Sequence, residues 1–92
     1  MEDDSRALSL TAYPNPTSGQ LEVVVGCENC DDYGRYEVKV TDLMGQVIQR
    51  QEVELMGSEA NTRFDLSGYA NGVYFIMIED GSKRITEKVV KQ

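Results

Sequence analysis

Val73-Tyr74-Phe75-Ile76-Met77-Ile78 is apolar at every position, so an extended chain here is apolar on both faces. The run is shorter than a typical helix and rich in β-branched and aromatic residues, which suits a central strand covered on both sides better than an edge strand. It is read as the heart of the fold. Asp80-Gly81 follows with the positive-φ chemistry of hairpin turns, and Lys83 to Lys91 then returns as the last strand.

Upstream, the pattern changes to alternation. Leu8, Leu10 and Ala12 alternate with Ser9 and Thr11; Leu21, Val23 and Val25 alternate with Glu22 and Val24; Tyr36, Val38 and Val40 alternate with Glu37, Lys39 and Thr41. A period of two is that of a half-buried strand. Residues 46 to 56 read as a longer, more polar ribbon carrying Val47, Ile48, Val53 and Leu55, and Phe64 with Leu66 marks a short strand after the Gly57-Ser58-Glu59 loop. Proline or glycine stands between nearly all these runs, and no stretch shows a helical apolar stripe. Seven short strands at roughly ten-residue spacing predict an all-β fold, an immunoglobulin-like antiparallel β-sandwich. The chain has no tryptophan, so this expectation rests on strand count and spacing and not on antibody-type hallmarks.

At 92 residues the chain is long enough for one core and too short for two. Residues 1–7 read as a linker, or a segment supplied for expression, and 8–92 as the sandwich. The net charge of -7 and the absence of histidine argue against nucleic acid as a partner and remove the commonest general base and metal ligand. The charge is unevenly placed. Glu2, Asp3, Asp4, Glu22, Glu28, Asp31 and Asp32 face Arg6 alone in the first third, whereas Lys83, Arg84, Lys88 and Lys91 face only Glu87 near the end. Such asymmetry can steer a partner to one pole of a small domain, or simply reflect the lysines that protect edge strands from aggregation.

Cys27-Glu28-Asn29-Cys30 has the spacing of redox motifs but lacks their βαβ setting, and its acidic neighbours raise thiol pKa values. Zinc would need further ligands that the chain does not supply. A local disulfide between Cys27 and Cys30 in an oxidising compartment is the preferred reading, with two free loop thiols as the alternative. Glu28, Asn29, Asp31 and Asp32 offer oxygen ligands without EF-hand spacing, so a solvated acidic loop is expected over calcium. There is no histidine base, nucleophile elbow or glycine-rich phosphate loop. The expectation is a non-catalytic domain with no metal and no cofactor.

What remains is a set of ordered motifs: Tyr13-Pro14-Asn15-Pro16 with Gly19, Asp42-Leu43-Met44-Gly45, Asp65-Leu66-Ser67, Gly72-Val73-Tyr74, and Lys88-Val89-Val90-Lys91. Each has a structural reading. Pro14 and Pro16 lack amide donors and would end a strand at a rigid corner, Asn15 suits a turn, Gly45 and Gly72 meet backbone demands, and Tyr74 packs on a sheet face. In this order, over residues 8 to 92, the set resembles the type A C-terminal sorting domain of the type IX secretion system of Bacteroidetes. The resemblance implies an immunoglobulin-like sandwich attached behind an exported cargo. It implies recognition by an outer-membrane shuttle or translocon, transit through the periplasm, and delivery to the cell surface or medium. It also implies removal by a sortase-like protease in the linker ahead of about Leu8.

The terminal strand is the expected receptor contact, through Lys88, Val89, Val90 and Lys91. Its alternation places Ile85, Glu87 and Val89 on one face and Thr86, Lys88 and Val90 on the other, and an exposed edge would let a receptor add a strand. Exposed edges also allow strand-mediated self-association. Two rival readings use the same fold: a carbohydrate-binding or adhesion module with Tyr33, Tyr36 or Tyr69 as stacking platforms, and a passive fibronectin-like spacer.

Overall fold

A strand with alternating apolar residues must bury one face against a second layer, and the chain supplies that layer as a second sheet, with seven strands in all. A computed structural model describes residues 7–28, 34–55, 57–80 and 83–92. The strands are β1 (Ala7–Tyr13), β2 (Gln20–Glu28), β3 (Gly34–Thr41), β4 (Val47–Leu55), β5 (Glu59–Asp65), β6 (Gly72–Asp80) and β7 (Lys83–Lys91). β1-β2-β5 form a three-stranded sheet and β4-β3-β6-β7 a four-stranded one, with every ladder antiparallel. The sandwich expected from the sequence is therefore the one observed.

The period of two decides which side chains meet. Leu21, Val23, Val25 and Cys27 of β2 face Tyr36, Val38 and Val40 of β3 and Tyr74, Ile76 and Ile78 of β6 across one core. Complete burial of each large aliphatic side chain contributes about 1.5–3 kcal/mol. Val38 pairs with Ile78 and Val40 with Ile76, so a single-residue slip would turn both rows out of the core at once.

Two expectations change in detail. β6 lies inside its sheet, but it is not covered on both sides: Tyr74, Ile76 and Ile78 are buried, whereas Val73, Phe75 and Met77 stay half-exposed. A sandwich has only two layers, so the outer row is sheltered just by its neighbours, Lys88 and Thr41 beside Phe75 and Thr86 and Lys39 beside Met77. β5 begins at Glu59, well before Phe64, and Leu66 falls in the turn that follows. β5 pairs with β2 from Gly26↔Glu59 to Gln20↔Asp65, and this ladder extends the strand through residues whose side chains carry little apolar signal. Gly81 of the expected hairpin turn and residues 1–6 of the expected linker at 1–7 lie outside the described residues, while Ala7 opens β1 and the backbone of Asp80 pairs with that of Lys83.

Both seams of the sandwich are closed by side-chain amides. Gln49 Nε2 donates to the Asp65 carbonyl at 2.8 Å, and Gln51 Nε2 donates to that of Arg63, so β4 reaches across to the open edge of β5. On the other side, the stretch between β1 and β2 closes onto β7.

Candidate functional site

Tyr13 ends β1, and both Tyr13–Pro14 and Asn15–Pro16 are cis. The prolines bring no amide donors, so Asn15 supplies the pairing with its side chain. Its Nδ2 donates to the Lys88 carbonyl and its Oδ1 accepts from the Val90 amide, each at 2.9 Å. Two residues on, Thr17 takes over with its backbone: its amide donates to the Val90 carbonyl, and the Gln92 amide donates to the Thr17 carbonyl, both at 2.9 Å. This is a one-residue parallel bridge, Thr17↔Lys91. Thr17 is itself 1% exposed, and its Oγ1 donates to the Gln20 carbonyl and accepts from the Gly19 amide.

Gly19 carries the contact to the next motif. Its carbonyl accepts from the Leu66 amide at 2.7 Å. A Cβ there would stand 2.9 Å from Ser67 Cβ and 3.2 Å from Ser67 Cα, so only glycine permits the approach. Asp65 Oδ1 accepts from the Ser67 amide at 2.9 Å, and hydrogen bonds from Ser67, side chain first and backbone second, hold its carboxyl below the usual range. Leu66 is fully buried, and its carbonyl accepts from Tyr69 N. Tyr74 Oη donates to the Ala70 carbonyl at 2.5 Å, and its ring meets that of Tyr69 edge to face with centroids 6.4 Å apart. Lys91 turns inward beneath this corner, where its Nζ donates to the Tyr69 carbonyl at 3.0 Å and to Asn71 Oδ1 at 3.1 Å. Those two oxygens satisfy an ammonium that is only 9% exposed.

The middle motif closes the same end of the sandwich. Asp42 Oδ1 accepts from Met44 N and Gln46 N, each at 2.9 Å, while Gly45, at φ 89°, donates to the Asp42 carbonyl. The motifs therefore converge on one pole, where β1, β3, β5 and β7 end.

The predicted tail contacts divide by face. Lys88 is exposed and Val90 half-exposed on the outside of the four-stranded sheet, whereas Val89 is fully buried and Lys91 points inward. The basic residues of β7 do not gather at one pole, because the strand runs the length of the domain: Arg84 lies at the far end, paired with Glu79 at 3.0 Å. Of the tyrosines considered for sugar stacking, Tyr36 is buried and Tyr69 is engaged with Tyr74 and with the Ile48 carbonyl. Tyr33 lies outside the described residues, as do Asn29, Cys30, Asp31 and Asp32 of the calcium and disulfide readings. Cys27 is buried and is not a free thiol. Among the described residues no cluster of potential ligands is arranged to hold a metal ion.

Sequence reasoning missed the partners of these motifs. Thr17, Asn71 and the inward turn of Lys91 are all needed to build the pole, and only the last had a signal, since residue 91 shares its parity with buried Val89.

No curated protein matches the chain in sequence. The family model for the secretion system C-terminal sorting domain matches residues 11–92, and its start falls within β1, just ahead of the Tyr-Pro-Asn-Pro corner. With nearly all of its length matched, the chain belongs to the type IX secretion C-terminal sorting domain family.

Proposed function

We propose that this domain is a non-catalytic address that carries the protein attached to its N-terminal side through the periplasm and across the outer membrane. Membership of the family implies a type IX sorting signal that engages the secretion machinery on behalf of an N-terminal cargo bound for the cell surface or medium. The observation that carries this proposal is the meeting of all the motifs at one pole. β1 runs parallel to β7 and enters at the opposite pole, roughly 20 Å away for a seven-residue strand. A cargo ahead of β1 thus sits away from the motif pole and leaves it open to a receptor.

In this reading Lys88 and Val90 touch the receptor, while Val89 and Lys91 hold the strand that presents them. An outer-membrane shuttle or translocon is the receptor. A sortase-like protease then cuts in the stretch ahead of Leu8, since proteolysis needs exposed and extensible backbone. The disulfide expected between Cys27 and Cys30 would suit an oxidising route of this kind, and thiol counting with and without reductant tests it.

The test is a periplasm-directed reporter fused ahead of residues 1–92 in a type IX-competent bacterium and in a strain lacking the translocon. Surface display or release only in the competent strain supports the address reading. Periplasmic retention of a folded fusion in both strains refutes it. Mass spectrometry of the released reporter's new C-terminus checks the cleavage site.

A further inference from the structure

The outer face of the four-stranded sheet is divided. Toward the far pole it carries a web of ion pairs: Arg35 with Glu54 and Glu52, Lys39 with Glu37 and Glu79, Arg50 with Glu37, and Arg84 with Glu79. Toward the motif pole it is apolar, with Val73, Phe75, Met77 and Val90 half-exposed. At the end of this strip stands the Asp42–Gly45 turn. Leu43 is 67% exposed and Met44 89%, and with Tyr13 they are the exposed large apolar side chains among the described residues. A depression of about 250 Å³ lies between that turn and Asn71–Tyr74.

The turn does not require these residues. Asp42 and Gly45 make its hydrogen bonds, and the two positions between them accept most polar side chains. A tightly hydrogen-bonded turn that projects Leu and Met beside an apolar-walled depression has the features of a binding anchor: fixed, adaptable in side chain, and continuous with further apolar surface.

The geometry points to the Leu43–Met44 turn, the depression beside it and the Val73–Phe75–Val90 strip as one docking surface for a protein of the export machinery, whose contact region presents an apolar side chain rimmed by carboxylates. This rests on the sorting-signal reading above. Charge selects the occupant. Lys88, exposed along this strip and without an ion-pair partner among the described residues, matches an acidic rim. The surface adjoins the closed end of β7, so tail and turn would be read together.

The experiment compares export of the reporter fusion with that of Leu43→Ser/Met44→Ser, which removes apolar area without altering charge or the turn's hydrogen bonds. Asn61→Ser, exposed on the other sheet, is the reference. Export at least about tenfold lower in the double variant alone is expected, as for loss of an interface anchor. Thermal unfolding of the purified domains checks the fold, and Met44→Ser alone replaces the double variant if that proves unstable. A photo-crosslinking residue at position 44, but not at 61, should give an adduct with an outer-membrane protein in the competent strain. Wild-type export by the folded serine variants overturns the docking surface and leaves the sorting reading standing. Adducts equal at 44 and 61, or adducts only between two copies of the fusion, overturn it as well. Failure of the unaltered fusion to be exported overturns both.

Discussion

The side chain of Asn15 pairs with the backbone of β7 as a neighbouring strand would, donating to the Lys88 carbonyl and accepting from Val90 N at 2.9 Å each. Two bonds of opposite sense need an amide. Asn15→Ala should therefore lower stability by about 1–2 kcal/mol. Asn15→Asp should cost at least as much, because a carboxylate keeps the acceptor for Val90 but faces the Lys88 carbonyl with no hydrogen to give. Urea unfolding of the three proteins measures this, and an aspartate variant as stable as the wild type would contradict the pairing.

Gly19 and Ser67 join the first motif to the third by contact of backbone on backbone. Gly19→Ala should destabilise the domain by about 1–3 kcal/mol, since the new methyl meets Ser67 Cβ at 2.9 Å and φ is 155°. Ser67→Gly removes the nearest of the opposing atoms. The double variant should then be less destabilised than the sum of the singles, by about 0.5–1.5 kcal/mol. Strict additivity in a double-mutant cycle would show that the contact with Ser67 Cβ adds nothing to the cost of Gly19→Ala.

Two carboxylates on the surface should respond differently to salt. Asp65 is held below its usual range by hydrogen bonds from Ser67, and Glu79 by its hydrogen bond and charge pairing with Arg84, with a smaller contribution from Lys39. Both shifts are downward, so each group adds stability above the ordinary carboxylate pKa and loses that contribution as pH falls through the lowered folded value. NMR titration of the carboxyl carbons reads both. At about 1 M salt, where the screening length is near 3 Å, Glu79 should move back toward its ordinary value. Asp65, whose partners are uncharged, should not. Parallel movement of both would remove the distinction between the two causes.

The strands that were legible in the sequence are those whose period matched a strongly apolar face. Leu21, Val23 and Val25, and Tyr36, Val38 and Val40, are all inward in the structure, whereas β6, apolar at every position, was legible as a strand but not as to which row, Tyr74, Ile76 and Ile78, is buried. β5 was only half legible, because Ala60 and Thr62 carry little apolar signal and the ladder with β2 extends the strand. The pole is a different matter. Asn15, Gly19 and Lys91 act on partners far away in sequence, and no local pattern says that an asparagine between two prolines will complete the edge of the last strand. Gln49 and Gln51 lie in the polar ribbon of residues 46 to 56, and nothing local says that they reach across the opposite seam to the backbone of β5. Lys91 was misleading for a physical reason: a charged residue near a chain end is read as exposed, but parity with Val89 turns it inward, where the Tyr69 carbonyl and Asn71 receive it.

Removing residues 88–92 tests less than it promises, for the tail is part of the fold. The deletion takes fully buried Val89 out of the core, frees both ends of the Asn15 amide and unpairs the Thr17 backbone. Burial of the valine alone is worth about 1.5–3 kcal/mol, against a total of about 5–10 kcal/mol for a small domain. The shortened domain should unfold at a much lower urea concentration or fail to fold, so its loss of export reports stability. Lys88→Glu separates the two effects. Lys88 is exposed and spans no ion pair among the described residues, so the change should stay within about 0.5 kcal/mol in stability. If the strand is read by a receptor with an acidic rim, export of the folded Lys88→Glu fusion should fall with its unfolding curve unmoved. Wild-type export from that variant would leave the tail with a purely architectural role.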